Sequence, residues 1–156
     1  MIDYRFATGK DLDVLVRSRL EVLRAVNQLA GNYPFSDDLI RESQSFFENG
    51  DHTTVLAVSD GTIIGCGTIC YIRVMPTFSH PMGKRARLMN VYTAENFRRQ
   101  GIAGKMVSML IEEAWNRGVS EISLDATESG RLLYESLGFV DSEECMVLVR
   151  QMTGPN

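Results

Sequence analysis

The chain has 156 residues, 44% of them apolar and 23% charged, which are the proportions of one globular domain rather than of a disordered or fibrous protein. A formal net charge of −4 argues against a nonspecific nucleic-acid binder, because that class needs a basic surface. No apolar run approaches the roughly 18 residues that span a bilayer.

The opening Met1-Ile2-Asp3-Tyr4-Arg5 lacks the basic-then-apolar layout of a secretory leader. Cys66, Cys70 and Cys145 are odd in number and follow no framework spacing, so buried free thiols in a reducing compartment are expected. The expected location is the cytoplasm.

Ile2 to Ala7 alternates as a short strand does. Thr8 with Asp11 three positions on has the spacing of a capping box, and Leu12, Leu15, Val16, Arg19, Leu20 and Leu23 then recur at helical spacing, predicting a helix from Lys10 to Asn27. Gly31-Asn32-Tyr33-Pro34 breaks the chain, after which Ser36 can cap a second helix that ends near Asn49-Gly50. Two strands, 53–58 and 62–70, are joined by Asp60-Gly61, a hairpin signal. Gly65-x-Gly67 lies inside the second of these and points to close backbone packing. Cys66 and Cys70 should share one face of it.

Residues 75–84 carry two prolines and read as a loop, and a strand over 87–93 follows. A helix from Gly101 to Arg117 should stop at Gly118. Glu121 to Ala126 alternates as a strand, 129–137 reads as a short helix closed by Gly138, and 139–140 and 144–151 complete the chain as strands. The expectation is a single α/β domain over 1–152 with a twisted, mixed, mostly antiparallel sheet of about seven strands, about four helices and a loose tail at 153–156.

The richest stretch is Phe97-Arg98-Arg99-Gln100-Gly101-Ile102-Ala103-Gly104-Lys105. A helix N-terminus carries about half a positive charge, so arginines there have the wrong sign for stability unless an anion joins them. Free backbone N–H groups, nearby cations and glycines that admit close approach make a phosphate cradle; a solvated arginine pair before an ordinary helix is the competing reading.

Arg98-Arg99-Gln100-Gly101-Ile102-Ala103 and, further on, Leu133-Tyr134-Glu135-Ser136-Leu137-Gly138-Phe139 together resemble the two signatures of the GNAT superfamily of acyl-CoA-dependent N-acetyltransferases. The order of strands and helices fits that family over nearly the whole chain. The resemblance implies acetyl-CoA as cosubstrate and an amine as acceptor, with no metal. Backbone N–H groups from Arg99 through Gln100, Gly101, Ile102 and Ala103 to Gly104 would hold the pyrophosphate, and Arg98, Arg99 and Lys105 would add charge. Val91, Tyr92 and Thr93 would pair with the pantetheine arm, with a backbone N–H near Val91 facing the thioester carbonyl. Tyr134 matches the acid that protonates the departing thiolate.

The general base is harder to place. Many relatives carry a carboxylate on the strand before the phosphate loop, where this chain has Met89 and Asn90. Asp125 matches an alternative position and, being short, would act through a water; it reads more readily as a strand-end hydrogen-bonding residue, and His80, a weaker candidate base, as a solvated loop residue. A cofactor-contacting Asn common in the family is replaced by Thr127. The acceptor cleft is expected among Arg17, Glu21, Tyr33, Phe35, Phe78 and His80. Expected partners are acetyl-CoA and an unidentified amine, in a monomer or homodimer, with no nucleic acid and no membrane. A CoA-binding sensor without turnover, or an enzyme for longer acyl groups, are the alternatives.

Overall fold

The computed structural model describes residues 1–142 and 144–151. The chain gathers into two compact units, Met1–Asp125 and the stretch from Ala126 onward. In the first unit β1 (Ile2–Phe6), β2 (His52–Ser59), β3 (Thr62–Arg73), β4 (Lys84–Thr93) and β5 (Glu121–Ser123) form one sheet in that order. The pairs β1–β2, β2–β3 and β3–β4 are antiparallel, and β5 joins β4 in parallel. The β2–β3 hairpin turns on Asp60 and Gly61, both at positive φ, as the primed turn that suits right-handed strand twist demands.

The expected capping box is present. Thr8 accepts from Lys10 N–H, and the Asp11 carboxylate accepts from Thr8 N–H at 2.8 Å. Asp11 also takes both terminal nitrogens of Arg5 at 2.8 Å, which holds its carboxyl down at a pKa of about 2. One 3-10 turn over Gly9–Asp11 leads into α1 (Leu12–Val26), and Ser36 caps α2 (Asp37–Asn49) through Leu39 N–H at 3.2 Å.

Helix α3 (Ile102–Asn116) lies on one face of the sheet. Ile102, Met106, Val107, Leu110 and Ala114 are buried at near-helical repeats, and each large one contributes about 1.5–3 kcal/mol by leaving water. The close packing read from Gly65-x-Gly67 is present: a Cβ at Gly65 would stand 3.1 Å from Met106 Cε, and one at Gly67 3.3 Å from Leu110 Cδ1. The opposite face carries Leu15 and Val22 of α1 packed with Leu56 and Cys66.

In the second unit the Thr127 hydroxyl accepts Gly130 N–H at 3.2 Å and starts α4 (Arg131–Ser136). The chain then turns at Gly138, and Phe139 sets its ring edge-on to Tyr134 with centroids 5.8 Å apart.

Several expectations need correction. The sheet has five strands rather than about seven, because 139–140 and 144–151 pair with no neighbour among the described residues. Strand propensity favours an extended backbone, but a strand exists only through its ladder, and here Val140 and Met146–Val149 stay 77–100% exposed. β5 ends at Ser123, since β4 offers it only Arg85, Ala86 and Arg87 as partners. β3 and β4 instead outrun their alternating cores, pairing as far as Arg73 with Lys84 and shortening the loop to 74–83. Cys66 is buried and Cys70 partly so, as expected, but Cys145 is exposed. The expected tail at 153–156 lies outside the described residues.

Candidate active site

At the mouth of α3, Gly101 is the N-cap, at φ +78, and no side chain caps the helix. The N–H groups of its first turn therefore stay free of intrahelical and side-chain partners. Arg99 is also left-handed, at φ +62, a conformation that costs a non-glycine residue about 1–3 kcal/mol and is kept where surroundings demand it. A Cβ on Gly101 would meet nothing within 4 Å, so the space in front of the amides is open. Arg98, Arg99, Gln100 and Lys105 are exposed around it, and none of the three cations pairs with a carboxylate among the described residues. Arg98 folds back, donating from Nε to the Thr93 carbonyl at 3.0 Å and covering the Tyr92 ring. Ile102 is buried and Ala103 and Gly104 half-buried, so the cradle is made of backbone, with a positive rim. These features fit a diphosphate.

Along β4, the edge that faces β5 is paired only through Arg87. Beyond it the strand runs on to Thr93 with no strand paired to that edge among the described residues, so an extended chain can lie along Val91, Tyr92 and Thr93. The Thr93 hydroxyl is buried without a hydrogen-bond partner among the described residues. A bulge interrupts β4: Cys66 pairs with Tyr92 and Thr68 with Met89, leaving Asn90 and Val91 opposite Gly67. Asn90 sits at φ +59, a region in which Asn is enriched.

Tyr134, in the second unit, is half-buried, and that burial pushes its phenol above the ordinary tyrosine value. It therefore stays protonated at neutral pH, as a proton donor must. Thr127 spends its hydroxyl on the turn into α4, bonding Gly130 N–H and standing 3.3 Å from Ser129 Oγ.

Asp125 is exposed and ion-paired with Arg87, which shares its face of the sheet with Met89. His80 is tied to Ser120 Oγ at 2.7 Å and lies 3.4 Å from Glu121, an anchor for the loop at 74–83. Cys66 is held as a thiol, pushed up to about 12 by burial, and Cys70 is shifted the same way. Neither is poised to carry an acyl group.

On the α1–α2 face of the sheet a cavity of about 280 Å³ opens beside the bulge. Leu39, Phe46, Phe47, Cys70 and Met89 give it apolar walls. Its polar groups are Arg19, Glu42, Ser43, Thr68 and Asn90. Arg19, from α1, donates to Asn90 Oδ1 at 3.1 Å.

Comparison with known proteins settles the family. The sequence pattern of the Acetyltransferase (GNAT) family matches residues 20–139. The chain belongs to the GNAT acetyltransferase family. It is 30% identical, over 76% of its own length and 82% of the relative's, to aminoglycoside N(6')-acetyltransferase type 1 of Serratia marcescens. A predicted acetyltransferase from Clostridium acetobutylicum, crystallised with acetyl-CoA, superposes with a TM-score of 0.84 at 30% identity, covering 96% of both chains. A GCN5-related N-acetyltransferase from Ralstonia eutropha shares the fold at 22% identity, with a TM-score of 0.74 over 96% of this chain and 99% of that one.

As a GNAT acetyltransferase the protein is an enzyme that takes its acetyl group from acetyl-CoA. No metal cluster of three or more His, Cys, Asp or Glu side chains occurs among the described residues, and none of their helices is long and apolar enough to cross a membrane. Of the residues expected to line the acceptor cleft, Arg17, Glu21, Tyr33, Phe35, Phe78 and His80 are all absent from the cavity lining. Sequence reading missed Arg19, Phe46, Phe47 and Thr68, which come from separate elements. The available signal was Phe46-Phe47, two adjacent aromatics on α2, of which Phe47 packs against the core and Phe46 stacks on His52.

Proposed function

We propose that this enzyme transfers acetyl from acetyl-CoA to a primary amine by direct attack, without an acyl-enzyme. The observation that carries the donor half is the uncapped mouth of α3, whose open space, free amides and unpaired cations suit a diphosphate. Acetyl-CoA supplies an activated acetyl thioester. The Arg99–Gly104 backbone binds the pyrophosphate, while Arg98, Arg99 and Lys105 add charge. Val91, Tyr92 and Thr93 align the pantetheine arm, and a backbone N–H near Val91 stabilises the developing oxyanion.

Tyr134 donates the proton that the departing thiolate needs, and Asp125 takes the proton of the amine through a water. Thr127 sets the turn from which α4 presents Tyr134. The amine enters the cavity beside Asn90, on the same sheet face as Arg87 and its partner Asp125. The two units act as one domain over 1–152, in the cytoplasm. The relative from Serratia bears an aminoglycoside acceptor in its name, so kanamycin belongs in an acceptor panel. Thiol release from acetyl-CoA across aminoglycosides, polyamines and amino acids, with calorimetry of CoA binding alongside, is the test. Turnover with any amine supports the reading, and CoA binding without turnover for any of them contradicts it.

A further inference from the structure

We propose, on the acetyl-transfer reading above, that the acceptor is a small amine with an apolar body and a carboxylate, the carboxylate held by Arg19. Arg19 is half-buried on the cavity wall, and its one hydrogen bond among the described residues goes to the neutral Asn90 amide at 3.1 Å. No carboxylate lies within ion-pair distance of it among the described residues. Burial shifts its guanidinium below the ordinary arginine value, the direction expected of a cation that has lost water without gaining a counter-ion. A guanidinium has five donors in a planar fork, which leaves several for a carboxylate to accept. A phosphate would want a second cation, and the nearby Arg87 is already paired with Asp125.

The rest of the cavity sorts acceptors in the same direction. Phe46 and Met89 are 36% and 40% exposed, and an apolar body seated against them would remove that surface from water. Among the described residues one acid, the exposed Glu42, lines the cavity, so a polycation would find one partner there for its several charges. A cavity of about 280 Å³ also lies at the small end of ligand sites, suiting one ring or a short chain.

A run of hydrogen-bonded side chains holds Thr68 in the cavity lining. His52 Nε2 stands 3.1 Å from the Phe47 carbonyl, which can only accept, so Nε2 carries the hydrogen. Nδ1 lies 3.1 Å from the Thr54 hydroxyl, which lies 2.8 Å from the hydroxyl of Thr68, a residue of the cavity lining. Thr68 pairs with Met89, one residue from the bulge at Asn90–Val91.

The experiment compares kcat/KM, by thiol release from acetyl-CoA, for phenylalanine, leucine and methionine against their carboxamides, with kanamycin and phosphoethanolamine as further acceptors. The amides have the more readily deprotonated amine, so a preference for the acids cannot come from reactivity. We expect the acids to exceed their amides by about 10- to 100-fold, the scale of a lost charged hydrogen bond. Arg19→Gln should close that gap and Arg19→Lys restore part of it, while calorimetry shows CoA affinity unchanged in both. Preference for the amides, kanamycin or phosphoethanolamine, or an acid preference that survives in Arg19→Gln, overturns the acceptor class and leaves acetyl transfer standing. Thiol release with none of these acceptors overturns the class as well. Loss of CoA binding in the wild-type protein would instead strike the acetyl-transfer reading itself.

Discussion

The mouth of α3 and the cavity beneath α1 and α2 solve recognition in opposite ways. The mouth is built from backbone: a left-handed Gly101, a left-handed Arg99 and amides left free by an uncapped helix. Any chain that folds this way presents nearly the same grip, which suits a donor shared by a whole family. The cavity is built from side chains of α1, α2, β3 and β4, and Arg19 reaches an asparagine 71 positions along the chain. On the proposed reading the donor is fixed by geometry and the acceptor by composition.

That division can be tested by cutting the chemistry away from the grip. Tyr134→Phe removes the phenol proton and keeps the ring against Phe139, so kcat should fall about 10²-fold or more with CoA affinity unchanged by calorimetry. A rate near that of the wild type would take Tyr134 out of the mechanism. Asp125→Asn should lower kcat/KM by about tenfold or more, with CoA affinity unchanged by calorimetry. If the rate holds, another group takes the proton.

The smallest effect concerns the scaffold of the acceptor side. Asp11 starts the helix that carries Arg19, and its carboxyl titrates near 2 in the fold against 3.8 ordinarily, chiefly through the Arg5 hydrogen bonds. A lowered value means that its stabilisation is complete above about pH 4 and drains away as pH falls toward 2. Asp11→Asn should therefore cost about 1–2 kcal/mol in urea melts at neutral pH and distinctly less at pH 2. An equal cost at both pH values would mean that the carboxylate charge is idle.

Features that a few neighbouring residues decide were legible in the sequence. The Thr8–Asp11 box, the Ser36 cap, the Asp60-Gly61 hairpin and the start of α3 beside Gly101 all follow from local chemistry, and each is present. The two glycines of β3 were legible for a related reason, since only close approach explains them in a strand. The misread features depend on partners. Residues 144–151 alternate like a strand but have no described neighbour to pair with, and β5 is cut short by what β4 offers it. The bulge at Asn90 shows only in the pairing of β4 with β3, so the asparagine was read for its missing carboxylate and not for its backbone. Arg19 was read only as part of the inward-facing repeat of the first helix, with no partner assigned. Its meaning lies in Asn90 and Phe46, which only the fold brings to it.

The central claim is that the backbone at the mouth of α3 grips a diphosphate. Calorimetric titration of the wild type and Gly101→Val with acetyl-CoA and with acetyl-pantetheine, which lacks the diphosphate, addresses it most directly. The account predicts that the wild type binds acetyl-CoA at least about 10²-fold more tightly than acetyl-pantetheine, and that Gly101→Val, whose side chain enters the open space, erases most of that difference. Equal affinity for the two compounds, or an undiminished preference in the variant, would contradict it.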